Sequence, residues 1–181
     1  MLMPWTKNKL EKDLQKIRLL PSGMRERGEI LLRKPRAGRK YLGKIDEQKL
    51  YSNCWGTTVF LEGEGAFNQC KEIATGMPPH HGYIPSVYWK DRSRPGLVEI
   101  NVMEKFLGMN YDRIDNPSPG DVVVVESFDM GVIYLAHTGI WTGVDDYVLE
   151  QHNLGENFGF QNFFVGQNKH PFFNYSFARK K

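Results

Sequence analysis

The sequence contains a cysteine, a histidine and a carboxylate whose positions would suit nucleophilic catalysis. Cys54 follows the polar pair Ser52-Asn53 and opens a run of small and apolar residues that is typical of a buried helix. A cysteine at a helix N-terminus lies beside unpaired backbone N–H groups and the positive end of the helix dipole, which favour the thiolate over the thiol. The alternative interpretation is that Cys54 is a small buried apolar side chain, as most free cysteines are.

A thiol nucleophile needs a base within hydrogen-bond reach and a third group that orients the base. His137 lies in the run 134–141 and Glu150 lies in the run 147–153, and a glycine-containing turn separates the two runs. In a β-hairpin these residues would lie on adjacent strands, where cross-strand neighbours are about 5 Å apart. Alternation along a strand puts His152 on the same face as Glu150. The third member is therefore Glu150 or His152, and the strand register decides between them.

The elements that would position these residues change in kind along the chain. Apolar residues spaced three and four apart predict a helix over residues 6–20, and Pro21 ends it. Valine-rich and aromatic runs in the C-terminal third predict strands. The further predicted helices cover residues 24–32, 54–61, 67–74 and 97–109, and the predicted strands cover 122–126, 134–141, 147–153, 160–165 and 172–177. Helices followed by a small antiparallel sheet predict an α+β fold.

The length of 181 residues fits one well-buried core and is short for two. A content of 40% hydrophobic and 13% aromatic residues argues against disorder of the whole chain. We therefore expect residues 1–40 to form a basic helical N-terminal extension and residues 41–181 to form the main domain.

Positive charge is concentrated near the N-terminus. A basic arm of this kind could contact an anionic polymer such as a bacterial cell wall, nucleic acid or anionic lipid. A solvated helical surface is the alternative interpretation. Of the 24 Lys and Arg residues, thirteen lie in the first 44 positions: Lys7, Lys9, Lys12, Lys16, Arg18, Arg25, Arg27, Arg33, Lys34, Arg36, Arg39, Lys40 and Lys44.

Cysteine content and hydropathy indicate in which cellular compartment the protein is expected. Cys54 and Cys70 are too few for a disulfide framework, although one bridge between them is an open alternative. The first twenty residues lack the apolar core of a signal peptide, and no apolar run approaches membrane-spanning length. We expect a cytoplasmic or phage-derived protein, or one exported by an unconventional route; a chain trimmed of its signal would look the same.

Four short motifs stand out along the chain, namely Asn53-Cys54-Trp55-Gly56, Pro119-Gly120-Asp121, His137-Thr138-Gly139-Ile140 and Val148-Leu149-Glu150-Gln151-His152-Asn153. They resemble motifs of the NlpC and CHAP branches of the papain-like cysteine peptidases. NlpC-type members show a cysteine at a helix start, a Gly-Asp pair opening a strand, and a His-x-Gly-Ile strand. The strand that contains Glu150 is similar to the Glu-and-Asn strand of CHAP amidases, and the Trp after the cysteine resembles papain.

The resemblance implies specific roles. Cys54 would be the nucleophile, His137 the general base and Glu150 the orienting residue. Gln48, six positions before the cysteine as in papain, or Tyr41, in the position of the NlpC-type upstream tyrosine, would join the Cys54 backbone N–H in stabilising the oxyanion. No metal or organic cofactor would be needed.

The function expected from the resemblance is hydrolysis of an amide bond, with peptidoglycan of the bacterial cell wall as the leading substrate. A second alternative is an effector that acts on a protein as a peptidase, deamidase or acyltransferase. A third is a binding module on the same scaffold, in which Cys54 performs no chemistry.

Metal binding is a competing interpretation of the same residues. Cys54, His137 and His152 form a plausible donor set for zinc but lack the short-range ligand pair that such sites usually have. The pair His80-His81 in a proline-rich loop is interpreted as exposed and inert.

Overall fold

The fold places a layer of helices against one face of a six-stranded antiparallel sheet. The computed structural model describes residues 4–33, 53–78, 87–88, 96–145, 147–151, 158–162 and 173–181. The helices are α1 (Pro4–Lys16), α2 (Ser22–Arg33), α3 (Cys54–Glu62), α4 (Glu64–Gly76) and α5 (Ile100–Asn110), with a 3₁₀ turn at Ile17–Leu19. The strands are β1 (Val87–Tyr88), β2 (Leu97–Val98), β3 (Tyr111–Ile114), β4 (Val122–Asp129), β5 (Val132–Trp141), β6 (Tyr147–Gln151), β7 (Phe158–Asn162) and β8 (Phe173–Lys180).

The main sheet has the strand order β3-β8-β4-β5-β6-β7, and β1 and β2 form a separate two-stranded ribbon. Every neighbouring pair is antiparallel. The central strand β4 pairs with β5 on one side and with β8 on the other. The predicted α+β class is therefore confirmed.

Alternation along β4 divides the interior into two clusters. Val122 and Val124 belong to the larger core, which also contains buried residues of all five helical segments from Ile17 to Phe106. Val123 and Val125 point to the opposite face, where they pack in a smaller cluster with Trp141. A strand buried on both faces explains the uninterrupted run of valines that predicted it.

The N-terminal helices contribute to the larger core. Ile17 and Leu20 are 0% and 3% exposed, and Met24 and Leu31 of α2 are also buried. These four side chains lie in the same cluster as α3. The boundary between an extension at residues 1–40 and the main domain stays a prediction, and residues 34–40 lie outside the described ranges.

Most predicted elements are present with shifted ends; strand β1 was not predicted, and three other assignments were wrong. The predicted first helix ends at Lys16 and continues as a 3₁₀ turn, because Pro21 removes the N–H that would continue the helical bonding. Leu97 and Val98 are a strand paired with β1 rather than the start of α5. Strand β3 was missed entirely, and it pairs with β8 at one edge of the main sheet. The ends of two further predictions, at residues 152–153 and 163–165, lie outside the described residues.

Candidate active site

Helix α3 begins at Cys54 because Asn53 caps it. Asn53 has extended backbone angles, and its Oδ1 accepts a hydrogen bond of 2.8 Å from the backbone N–H of Gly56. The backbone N–H of Thr57 donates to the carbonyl of Asn53 at 2.9 Å, which closes the first helical turn. This is the standard arrangement for an asparagine N-cap. The predicted helix start at Cys54 is confirmed.

Asn53 also anchors the start of α3 to strand β2. Its Nδ2 donates to the carbonyl of Val98 at 2.8 Å, and the N–H of Val98 donates to Asn53 Oδ1 at 3.3 Å. One side chain therefore caps the helix and ties it to a neighbouring backbone. This double attachment fixes the position of Cys54, the next residue.

Gly56 allows the first turn of α3 to touch the backbone that leads into β2. A Cβ atom built on Gly56 would lie 1.7 Å from the carbonyl oxygen of Gly96. We expect Gly56→Ala to lower the free energy of unfolding by at least about 3 kcal/mol, because backbone must move to relieve the overlap. Urea denaturation measures the change.

The matched control for this substitution is Gly108→Ala in α5. Among the described residues, apart from the chain neighbours and the backbone of α5 itself, no atom lies within 4 Å of the corresponding Cβ position, so alanine should stabilise the helix by roughly 0.5–1 kcal/mol. Equal effects at the two positions would contradict the close approach of α3 to Gly96.

His137 lies on β5 beside a β-bulge. Val125 pairs with His137, and the next residue of β4, Glu126, pairs with Leu135. Ala136 is therefore the extra residue on β5. Bulges alter the direction of nearby side chains and often lie next to functional sites. A bulge at this position could not be predicted from the alternation of apolar residues.

Glu150 on β6 forms a short hydrogen bond with His137. The distance between His137 Nε2 and Glu150 Oε2 is 2.5 Å, and the side chains are 12% and 3% exposed, respectively. Gly139 makes room for this strand: a Cβ atom at Gly139 would lie 2.4 Å from Val148 Cγ1 and 3.2 Å from Glu150 Cβ. The glycine of the His-x-Gly motif is thus explained by close packing of β5 against β6.

Cys54 completes a chain of three side chains. Burial lowers the pKa of His137, but side-chain hydrogen bonds to Cys54 and to Glu150, together with the negative charge of both partners, raise it to about 10. The imidazole therefore favours its protonated form at neutral pH. Because Glu150 takes Nε2, Nδ1 is the ring nitrogen available to the cysteine.

A buried threonine pair holds α3 against β5 next to these residues. Thr58 Oγ1 and Thr138 Oγ1 are 2.9 Å apart, and both side chains are at most 1% exposed. Thr58 lies one helical turn after Cys54, and Thr138 follows His137. This pair could not be predicted from the sequence, because two threonines 80 positions apart produce no periodic pattern.

The threonine pair can be tested with a double-mutant cycle. Thr138→Val should lower the free energy of unfolding by about 1–3 kcal/mol, because it leaves the buried Thr58 hydroxyl without its partner. Thr58→Val together with Thr138→Val should cost clearly less than the sum of the single changes, since neither hydroxyl then remains. Additive losses in chemical denaturation would show that the two hydroxyls do not interact.

The Gly120-Asp121 motif lies at the entry to β4 and serves structure there. Arg179 donates to Asp121 through Nε at 3.0 Å and through Nη2 at 2.7 Å, and the N–H of Ser118 donates to Asp121 Oδ2 at 2.6 Å. The backbone of Asp121 also accepts a hydrogen bond from the N–H of Trp141 at 2.8 Å. These contacts join the start of β4 to the end of β5.

The remaining candidate residues have different outcomes. Trp141 is buried in the smaller cluster, with its ring centroid 5.2 Å from that of Phe177, so it is a core residue. Cys54 and Cys70 are both free thiols, which excludes the bridge between them in this structure. Other predicted residues lie outside the described ranges, namely Tyr41, Gln48, His80, His81 and His152.

Metal-binding clusters and membrane-spanning helices are both absent from the described ranges. No cluster of three or more His, Cys, Asp and Glu side chains in these ranges is arranged to hold a metal ion. No helix among the same residues combines the length and the apolar character needed to cross a bilayer.

Comparison of the chain with models of protein families, with curated proteins and with solved structures finds no match. The resemblance to papain-like peptidases therefore rests on the short motifs and on the geometry around Cys54.

Proposed function

We propose that the protein is a papain-like cysteine hydrolase that cleaves an amide bond. The observation that carries the proposal is the hydrogen-bonded series Cys54–His137–Glu150, in which a helix N-terminus supplies the thiol and two strands supply the other groups. Nucleophile, base and orienting carboxylate are the three roles that thiol catalysis requires.

The chemistry follows from the positions of these groups. The Cys54 thiolate attacks the amide carbonyl carbon, and the backbone N–H of Cys54, at the start of α3, would stabilise the oxyanion. The protonated His137 donates its proton to the leaving amine, so the C–N bond breaks and a thioester remains. His137 then takes a proton from water, the resulting hydroxide equivalent attacks the thioester, and the thiolate is released.

Glu150 keeps the imidazole oriented through both steps. Its bond to His137 Nε2 leaves the other ring nitrogen directed to Cys54 and stabilises the imidazolium. Gln48 or Tyr41 would add a donor to the oxyanion site, as the resemblance implies.

The proposed substrate is peptidoglycan, in a peptide stem or at an amide linkage. The Asn-Cys and His-x-Gly-Ile motifs support this class through their similarity to NlpC and CHAP enzymes, and the thirteen basic residues in the first 44 positions suit an anionic wall.

The test is incubation of the full chain with purified peptidoglycan and, in parallel, with unfolded casein. Mass spectrometry of the soluble products identifies new amines and carboxylates. We expect amide cleavage of peptidoglycan that Cys54→Ala abolishes and that Cys70→Ala leaves unchanged.

The other outcomes distinguish the alternatives. Cleavage of casein alone would replace the cell wall with a protein substrate. Absence of cleavage in both substrates by a folded parent chain would contradict the proposed hydrolase and favour a binding module.

A further inference from the structure

A cavity of about 310 Å³ lies at the end of α3 that is remote from Cys54. Helix α3 runs from Cys54 to Glu62, so the two ends are roughly 12 Å apart at 1.5 Å per residue. The cavity is bounded by α2, the ends of α3 and β8, the start of β3 and the turn before β4. Its lining residues are Pro21, Gly23, Met24, Arg27, Glu62, Tyr111, Pro119, Gly120, Asp121, Arg179 and Lys180. None of them belongs to the proposed active site.

Positive charge predominates in this cavity. Arg27, Arg179 and Lys180 contribute three cations, whereas Glu62 and Asp121 contribute at most two anions. Asp121 is already compensated by its two hydrogen bonds from Arg179.

Arg27 differs from Arg179 because it donates to a neutral carbonyl oxygen rather than to a carboxylate. Its Nε and Nη2 donate to the carbonyl oxygen of Leu61 at 2.9 and 2.6 Å. Burial lowers the pKa of Arg27, and the charges of Glu62 and Glu26 oppose that effect. A half-buried guanidinium bound to a carbonyl would gain more from an anion nearby than an exposed one would.

Two polar side chains, Tyr111 and Glu62, lie together on the inner wall of the cavity. Tyr111 is 7% exposed, and within the described part of the chain its hydroxyl makes no hydrogen bond of normal geometry. The Tyr111 hydroxyl lies beside the carboxyl of Glu62. Burial raises the pKa of Glu62, while the Tyr111 hydroxyl, Lys180 and Arg27 oppose the rise and Asp121 adds to it.

We propose that this cavity binds a small ligand through an oxyanion, either a carboxylate or a phosphate ester. Arg27 and Lys180 supply the positive charge, and the Tyr111 hydroxyl, which has no partner of normal geometry among the described residues, donates to the oxyanion. Glu62 joins them in its neutral form, in which it is a donor rather than a like charge. A volume near 300 Å³ suits a ligand at the small end of those that proteins bind in pockets.

The participation of Glu62 gives the site a distinctive pH dependence. An anion binds the neutral carboxyl more tightly than the carboxylate, so affinity should rise as the pH falls through the raised pKa of Glu62. The other charged groups that line the cavity are Asp121, which is held by Arg179, and the cations Arg27 and Lys180. Glu62→Gln imitates the neutral form permanently and should remove the dependence.

The test is isothermal titration calorimetry of the full chain with sulfate and with lactate, both of which stay ionised between pH 5.5 and 7.5. Ionic strength is held constant with chloride. We expect the affinity of the parent for the anion to increase as the pH is lowered. Glu62→Gln should bind more tightly than the parent at pH 7.5 and should lack this pH dependence. Preference for sulfate or lactate identifies the oxyanion as phosphate-like or carboxylate.

Lys180→Gln and Lys71→Gln are matched variants that remove one lysine charge inside the cavity and one outside it. Lys180 is exposed on β8 and lines the cavity, whereas Lys71 is exposed on α4 and does not. Lys180→Gln should weaken binding by about threefold or more, and Lys71→Gln should leave it unchanged. Absence of saturable binding of both anions, or equal affinity in the two lysine variants, would overturn the proposal. Neither result depends on the chemistry of Cys54.

Discussion

Replacing His137 with alanine is expected to slow the alkylation of Cys54 by iodoacetamide at pH 6 about 100-fold. The side-chain hydrogen bond between the two residues pairs the thiol with an imidazole whose pKa is raised to about 10. That imidazole is a cation at pH 6 and stabilises a neighbouring thiolate. An ordinary thiol with a pKa of about 8.5 is roughly 0.3% ionised at this pH and reacts correspondingly slowly.

Cys70 is the control within the same molecule. It is 0% exposed, and burial raises its pKa to about 12, so its labelling should stay negligible in both proteins. Mass spectrometry of peptides separates the two sites, and circular dichroism checks that the variant is folded. His137→Gln, which retains a polar side chain, should behave like His137→Ala. Fast labelling of Cys54 in a folded His137 variant would refute the thiolate–imidazolium pair and with it the proposed mechanism.

The second large effect is on the pH dependence of stability. The pKa of His137 is about 10 in the folded chain and about 6.5 in an unfolded one. Because the folded value is the higher, the contribution of His137 is fully present below about pH 6.5 and disappears as the pH rises towards 10. Relative to His137→Gln, the parent should lose on the order of 2–5 kcal/mol of unfolding free energy across this interval.

Chemical denaturation at intervals between pH 6 and 10 measures this loss. Glu150→Gln should give an intermediate slope, because Cys54 still raises the pKa of His137 when the carboxylate is gone. Parallel curves for the parent and His137→Gln would show that the histidine titrates alike in the folded and unfolded chains, and would contradict the short bond to Glu150.

Local sequence signals predicted the parts of the fold that depend on neighbours along the chain. A polar residue before Cys54 predicted the start of α3, and the run from Val122 predicted a strand, because capping and hydrophobic burial act over a few residues. Strand β3 was missed because Asp112 and Arg113 are exposed at its centre. Its pairing with β8, nearly 70 residues later, decides its conformation.

The same distinction between local sequence signals and long-range contacts applies to the candidate site. Residue types suggested Cys54 and His137, but they left the choice between Glu150 and His152 open, because the register between strands is set by packing over the whole sheet. The contact between His137 and Glu150 appears only in three dimensions, as do the bulge at Ala136 and the bond between Thr58 and Thr138. Each of these features depends on contacts between residues that are distant in the sequence.

The division of the proposed catalytic groups between two layers has a kinetic consequence. Cys54 belongs to a helix, while His137 and Glu150 belong to the sheet, and the threonine pair holds α3 against β5. A transient separation of α3 from β5 would therefore move Cys54 away from His137 and lower the reactivity of the thiol, while both layers stay folded. The rate at which iodoacetamide labels Cys54 therefore also reports on this opening. Under mild denaturant, fast labelling should be lost before the helical circular dichroism signal is lost.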